Sequence, residues 1–254
     1  MSFGSEFARV VGVYHPDGPT FLELMRQALA STERGYDLIA PKFDHTPFRT
    51  PDPVLDAMVR AIREDLPGER PLGAALDVCC GTGAAMSHMR ALCKERVVGL
   101  DFSQGMLDEA QRRVTASPGD AAVELVRGDA LSLPFESEFD VVTCVGAFGH
   151  ILPEDEDRFV AGIARALRPG GRFVFATGEM PPPTSAEWWA ARSFNAVMRV
   201  RNALLRPRFI MYYLTFLWPS VRLLLERHGL RVAGRRGLCP PPFDRAIIVV
   251  ATKP

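Results

Sequence analysis

The chain has 254 residues, 47% hydrophobic and 24% charged, with 30 basic and 30 acidic side chains and a pI near 7.0. Those values fit one large globular domain, or a domain with an appended cap, built round a real core. The neutral balance argues against nucleic acid or an acidic partner. The five cysteines, Cys79, Cys80, Cys93, Cys144 and Cys239, are odd in number and have no zinc-like or redox C-x-x-C spacing. That pattern points to a reducing, cytoplasmic compartment and to no metal site. The N-terminus has no basic start followed by an apolar run, so no secretory signal is expected.

Residues 1–70 read as a mostly helical N-terminal segment, a lid over the body of the protein. AALDVC (74–79) reads as a buried strand, and Met86, Met89 and Cys93 then recur at helical spacing. ERVVGL (95–100) is the second strand. Ser103 suits the N-cap of a helix that buries Leu107, Ala110 and Val114. AVELV (122–126) and FDVVTCV (139–145) are the third and fourth strands. Pro153 and the acids after it open a helix with Val160, Ile163 and Leu167 on one face. Arg168 ends that helix, Pro169, Gly170 and Gly171 break it, and RFVFAT (172–177) is the fifth strand.

Residues 179–219 interrupt the alternation and read as a cap over a substrate. Within them FIMYYLTFLW (209–218) is too short to span a bilayer, and Pro219 and Arg222 close it off. No transmembrane segment is expected, while peripheral membrane contact stays open. SVRLLLERHGLRV is a helix stopped by Gly229 and running into a strand, and DRAIIVVAT (244–252) is another strand. Their link is too short for a helical crossover, which predicts an antiparallel hairpin at the sheet edge. The expected fold is α/β, a doubly wound, mostly parallel seven-stranded sheet. The expected division is 1–70, a core at 71–178, the cap at 179–219 and a completing tail at 220–254.

LDVCCGTG (76–83) ends the first strand in a loop that admits close approach of a ligand, because Gly81 and Gly83 tolerate positive φ. Asp101 ends the second strand 18 residues after Gly83, where a carboxylate can accept both hydroxyls of a ribose. A dinucleotide loop would carry a third glycine, and Met86 stands there instead. Asp77 before the glycines would repel a pyrophosphate but could receive an ammonium group. A ligand with ribose, adenine and an amino-acid tail therefore fits better than NAD.

These motifs resemble those of class I S-adenosylmethionine-dependent methyltransferases, in particular the small-molecule branch that includes the ubiquinone and menaquinone C-methyltransferases. LDVCCGTG, VVGLDFSQGMLDEA, VRGDALSLPF, FDVVTCVGAFGHI and LRPGGRFVF carry the likeness, across roughly residues 70–178. It implies a Rossmann-like fold and S-adenosyl-L-methionine as cofactor, with S-adenosyl-L-homocysteine as product. It implies transfer of the methyl group, by in-line displacement, to a small hydrophobic or aromatic acceptor. It further implies cofactor roles for Phe102, Ser103, Met106, Asp129, Ala130 and Val145, and for Tyr36 from the N-terminal segment. Cys79 stands where the family commonly has glycine, and predicts a slightly narrower cradle round the methionine tail.

Methyl transfer to a phenol or an acidic carbon benefits from a general base. His150, after the fourth strand, is the first candidate, against a role bracing its loop. His45 is the next, and Arg49 is a substrate candidate, although both could instead pin the N-terminal segment to the body. His88 and His228 sit within helices and read as structural. Trp188, Trp189 and Tyr212 in the cap are further substrate candidates, among several arginines that suit an apolar or anionic acceptor. The rival readings are a non-catalytic S-adenosylmethionine-binding regulator and the same cofactor site used for other chemistry. VGAF after the fourth strand lacks the tetrapeptide of many nucleic-acid methyltransferases. Oligomeric state, the acceptor and the atom methylated are not written in these motifs.

Overall fold

The computed structural model describes residues 15–65 and 71–254; residues 1–14 and 66–70 of the expected N-terminal segment lie outside them. Among the described residues, three helices precede the sheet: α1 (Phe21–Leu29), α2 (Thr32–Ile39) and α3 (Asp52–Glu64). Thr20 and Glu23 form a reciprocal capping box at the start of α1, and the Ser31 hydroxyl accepts from Arg34 N–H to open α2. A 3₁₀ turn, Ala40–His45, follows α2.

The alternation then runs β1 (Leu72–Val78), α4 (Ala84–Arg90), β2 (Cys93–Asp101), α5 (Gln104–Ala116), β3 (Ala122–Arg127) and β4 (Phe139–Thr143). It continues with α6 (Glu156–Ala166), β5 (Leu167–Thr177), α7 (Ala186–Leu204), α8 (Ser220–Arg227), β6 (Arg231–Arg235) and β7 (Ile247–Thr252). The seven strands form one sheet in the order β3-β2-β1-β4-β5-β7-β6. β1 to β5 are mutually parallel, and β7 lies antiparallel between β5 and β6. The chain reverses direction across the sheet at β1 and β4. Such a switch point opens a crevice at the carboxyl ends of those strands.

Each face of the sheet is covered, which is why β1, β4 and β7 are almost wholly buried. On one side Met58 of α3, Met86 and Met89 of α4, and Leu107 and Val114 of α5 pack on Val97, Val141 and Val174. On the other, Phe159 and Ile163 of α6 and Leu225 of α8 pack on Leu76, Val142 and Phe173. Each such side chain contributes about 1.5–3 kcal/mol by leaving water.

Three local expectations change. The expected α6 start at Pro153 is a turn, and the helix begins at Glu156. Arg168 is not the helix end: α6 closes at Ala166, and Leu167 pairs at once with Phe139. The Arg168-Pro169-Gly170-Gly171 run is then a bulge inside β5, because the register shifts before Val141 meets Arg172. The fourth strand ends at Thr143, two residues short of Val145, since the chain must leave the sheet there to wall the crevice.

Candidate functional site

The floor of the crevice is set by strand register. Asp77 of β1 lies beside Gly99 of β2 and Thr143 of β4. Gly99 offers no side chain, and the Thr143 hydroxyl donates to Asp77 Oδ1 at 2.7 Å. Asp77 is 2% exposed, and burial pushes its carboxyl up to about 7, the Thr143 bond opposing this and the charge of Asp101 adding to it. Asp101 is also buried and raised by that burial. Its Oδ2 accepts from Gly81 N–H at 2.9 Å and its Oδ1 from Ser103 N–H at 2.9 Å. Each oxygen keeps a further lone pair for a ligand.

The β1–α4 loop folds back over these acids. Cys80 N–H donates to Leu100 O, and Gly83 N–H to Cys80 O. Cys79, Gly81 and Gly83 all have left-handed φ, at 57°, 52° and 76°. A Cβ on Gly81 would meet nothing within 4 Å, so its face is open to a ligand. A Cβ on Gly83 would meet Val114 Cγ2 at 2.7 Å, so that glycine serves the packing of α4 on α5.

The roof comes from the N-terminal segment. Asp37 of α2 accepts from Ser103 Oγ at 2.6 Å and Gly105 N–H at 2.9 Å, which seats α2 on the start of α5. Asp44 accepts from Thr82 Oγ1 at 2.7 Å and pairs with Arg113. Tyr36, Phe43 and Phe48 are thereby held over the loop, and the cavity between roof and floor is about 90 Å³.

A larger cavity of about 400 Å³ adjoins it, lined by Gly149, Thr177, Met211, Tyr212, Tyr213 and Leu217 among others. Tyr36, Phe43, Phe48, Gly146 and His150 belong to both walls. At this junction Tyr36 Oη lies 2.7 Å from His150 Nε2, and His150 Nδ1 contacts the Ile210 carbonyl. A carbonyl only accepts, so Nδ1 carries the proton, and Nε2 accepts from the Tyr36 hydroxyl. Burial lowers the His150 pKa and raises that of Tyr36, the latter with help from the Asp101 charge. The imidazole is therefore neutral.

Of the residues expected from sequence, Tyr36, Asp77, Cys79, Gly81, Asp101, Phe102, Met106, Val145, Arg49 and His150 line one cavity. Tyr212 lies in the second. The others lie elsewhere. Ser103 is fully buried, its hydroxyl occupied by Asp37 and Met106 N–H. Asp129 caps the 3₁₀ turn Ala130–Ser132 by accepting from Leu131 N–H, and neither it nor Ala130 lines the cavity. His45 is exposed and stacked on His15, with centroids 4.4 Å apart. Arg49 bonds to Asp52 at 2.6 Å and lies 3.7 Å from Asp44, so its guanidinium serves the N-terminal segment. Trp188 is half-buried under Arg192, and Trp189 is 60% exposed; neither lines either cavity. His88 bonds Ala84 O, and His228 pairs with Asp157.

Sequence reasoning missed Thr143, Thr82, Phe43, Phe48, Asp37 and Asp44. A threonine breaking the apolar run FDVVTCV was the available signal for Thr143. Asp37 and Asp44 act on residues 66 and 38 positions away, and carry no local signal.

A methyltransferase-domain family matches residues 75–171. The demethylmenaquinone methyltransferase of Symbiobacterium thermophilum is 37% identical over 115 residues, covering 44% of this chain and 45% of that one. The chain thus spans under half the length of that relative. A probable phthiotriol/phenolphthiotriol dimycocerosates methyltransferase 2 of Mycobacterium ulcerans is 34% identical over 195 residues, covering 72% of this chain and 70% of that one. Among solved structures, the magnesium protoporphyrin IX methyltransferase of Synechocystis PCC 6803 with bound SAH superposes with a TM-score of 0.56 at 16% identity, over 100% of this chain and 95% of that one. The sheet order, the acid-floored crevice and the long alignment agree, and the chain belongs to the class I S-adenosylmethionine-dependent methyltransferases.

Proposed function

We propose that this protein methylates a small hydrophobic or aromatic acceptor with S-adenosylmethionine. The observation that carries this is the pair of abutting cavities, one floored by two buried acids and the other apolar, with Tyr36 and His150 between them. The floor suits the cofactor. Asp77 and Asp101 are buried, and among the described residues the cavity is lined by no cationic side chain beside Arg49, whose guanidinium faces Asp44 and Asp52, while the His150 imidazole is neutral. Two uncompensated carboxylates disfavour an anionic ligand and favour one that brings positive charge and hydroxyls.

Asp101 would accept the ribose hydroxyls through its remaining lone pairs. Asp77, steadied by Thr143, would face the ammonium end. Phe102, Met106 and Tyr36 would flank the nucleoside, and Cys79 the tail. A cavity of about 90 Å³ is small for such a ligand, whose sites commonly exceed about 300 Å³. The roof of Tyr36, Phe43 and Phe48 would swing outward to admit it, which confines the lid to residues 15–50, because Met58 and Ala61 of α3 are packed in the core, and makes 179–219 the acceptor's cap. The bound sulfonium supplies an activated methyl group.

The chain's part is to align the acceptor, exclude water and move a proton. The acceptor would give its proton to Tyr36 Oη as Tyr36 passes its own to His150 Nε2. The relatives named for demethylmenaquinone and for phthiotriol dimycocerosates support a quinone-like or lipid-like acceptor. Isothermal titration with S-adenosylmethionine, S-adenosylhomocysteine and NAD, beside Asp101→Ala, tests the cofactor. Binding of the first two, lost in the variant, supports the reading; binding of NAD, or of nothing, overturns it.

A further inference from the structure

No helix among the described residues is long and apolar enough to cross a membrane, yet one face of the molecule exposes large apolar side chains. Helix α7 buries Asn195, Met198 and Asn202. Its opposite side exposes Trp189, Val197, Val200 and Leu204, a single stripe at steps of three, four and eight residues, with Leu204 77% exposed. Helix α1 likewise exposes Phe21, Leu22, Met25 and Leu29. The two are joined: Arg201 donates to the carbonyls of Ala28 and Ala30, at 3.2 Å each, fastening the last turn of α7 to the end of α1. Large apolar side chains this exposed, on neighbouring helices, mark an interaction surface.

The charges choose the partner. Residues 186–208 hold five arginines and one acid, in a chain whose overall balance is zero. Arg192, Arg199, Arg206 and Arg208 are exposed. A second copy docked through the same face would set arginine against arginine. An anionic bilayer surface meets both the apolar stripe and the basic flank.

The same helix holds the acceptor cavity in shape. The Asn195 amide is bonded both ways to the Tyr213 backbone at 2.8 Å, and Asn202 likewise to Phe209 at 2.9 and 3.0 Å. A further cavity of about 300 Å³ lies between Glu154, Arg192, Asn195, Arg199, Tyr212 and Tyr213.

We infer that the exposed faces of α1 and α7 dock the protein on an anionic lipid surface. The docking stands apart from the cofactor reading, so each can fail alone. The full chain is sedimented with vesicles of phosphatidylcholine alone and with one quarter phosphatidylglycerol, at low and high salt. The unaltered chain should partition onto the anionic vesicles, and salt should release it. Val197→Glu with Leu204→Glu should cut partitioning roughly tenfold or more, and each of Arg199→Glu and Arg206→Glu by about fivefold or more. S-adenosylhomocysteine titration and far-ultraviolet dichroism on the same variants should be unchanged, since these side chains are exposed and far from the floor. Partitioning that is absent, indifferent to lipid charge, or untouched by the glutamates overturns the inference. So does a dimer in solution that the glutamates dissociate.

Discussion

The floor and the roof of the crevice are built on different physics. The floor is backbone and buried carboxylate: Asp77 and Asp101 are placed by β1–β2 and β1–β4 register, Asp77 is bonded by the Thr143 hydroxyl, and Asp101 by the main chain of Gly81 and Ser103. The roof is aromatic side chain, hung from α2 and the segment after it by two aspartates. Tyr36 sits among Phe43, Phe102, Phe209 and His150, with ring centroids 5.2–6.5 Å apart. A floor of this kind recognises a ligand by charge and hydroxyls, whereas a roof of this kind excludes water and can move. Variants in the two should therefore fail differently.

The largest effect is expected at the floor. Asp101→Ala removes the proposed acceptor of the ribose hydroxyls, and should weaken S-adenosylmethionine by about 3 kcal/mol, or roughly a hundredfold, in a titration. At the junction, Tyr36→Phe should lower kcat by about a hundredfold while leaving cofactor affinity within a few-fold. A parallel loss of both would place Tyr36 with the floor instead. Because burial depresses His150, the acid limb of the kcat profile should lie below the ordinary histidine value of about 6.5.

Asp77→Asn sharpens the contrast through pH. The native carboxyl holds its proton up to about 7, above its unfolded value, so the ligand-free fold loses stability as pH rises from about 4 to about 7. The asparagine variant should flatten that slope in chemical denaturation, and it should remove the rise in cofactor affinity through the same window. A slope that persists would mean another group carries it. The smallest effect belongs to Cys79. A non-glycine residue at φ 57° is strained, and Cys79→Gly exchanges that strain for a more flexible unfolded chain. The net gain should be about 0.5 kcal/mol, a rise of about 1–2 °C in Tm by calorimetry.

Periodicity and punctuation determined the parallel strands, the edge pair and the floor. Short apolar runs such as AALDVC, bounded by glycines and alternating with helical periods, point to buried strands, and Asp77 and Asp101 stand near where those strands stop. The functional placement of Gly83 and Ser103 was not legible: both sit in the expected motif, but Val114 and Asp37 claim them through space. The bulge at Arg168–Gly171 likewise depends on pairing with β4, which a linear pattern does not contain. What the tertiary structure decided is the roof. That Tyr36 meets His150, 114 residues on, and that Arg201 of α7 reaches the end of α1, depends on how helices with no fixed register settle on the sheet. The apolar runs that make strands, and the glycines, prolines and acids that end them, lie within a few adjacent residues, so sequence carries them. Helix docking is set by side-chain shape and scattered polar clamps, and only the folded chain brings those together.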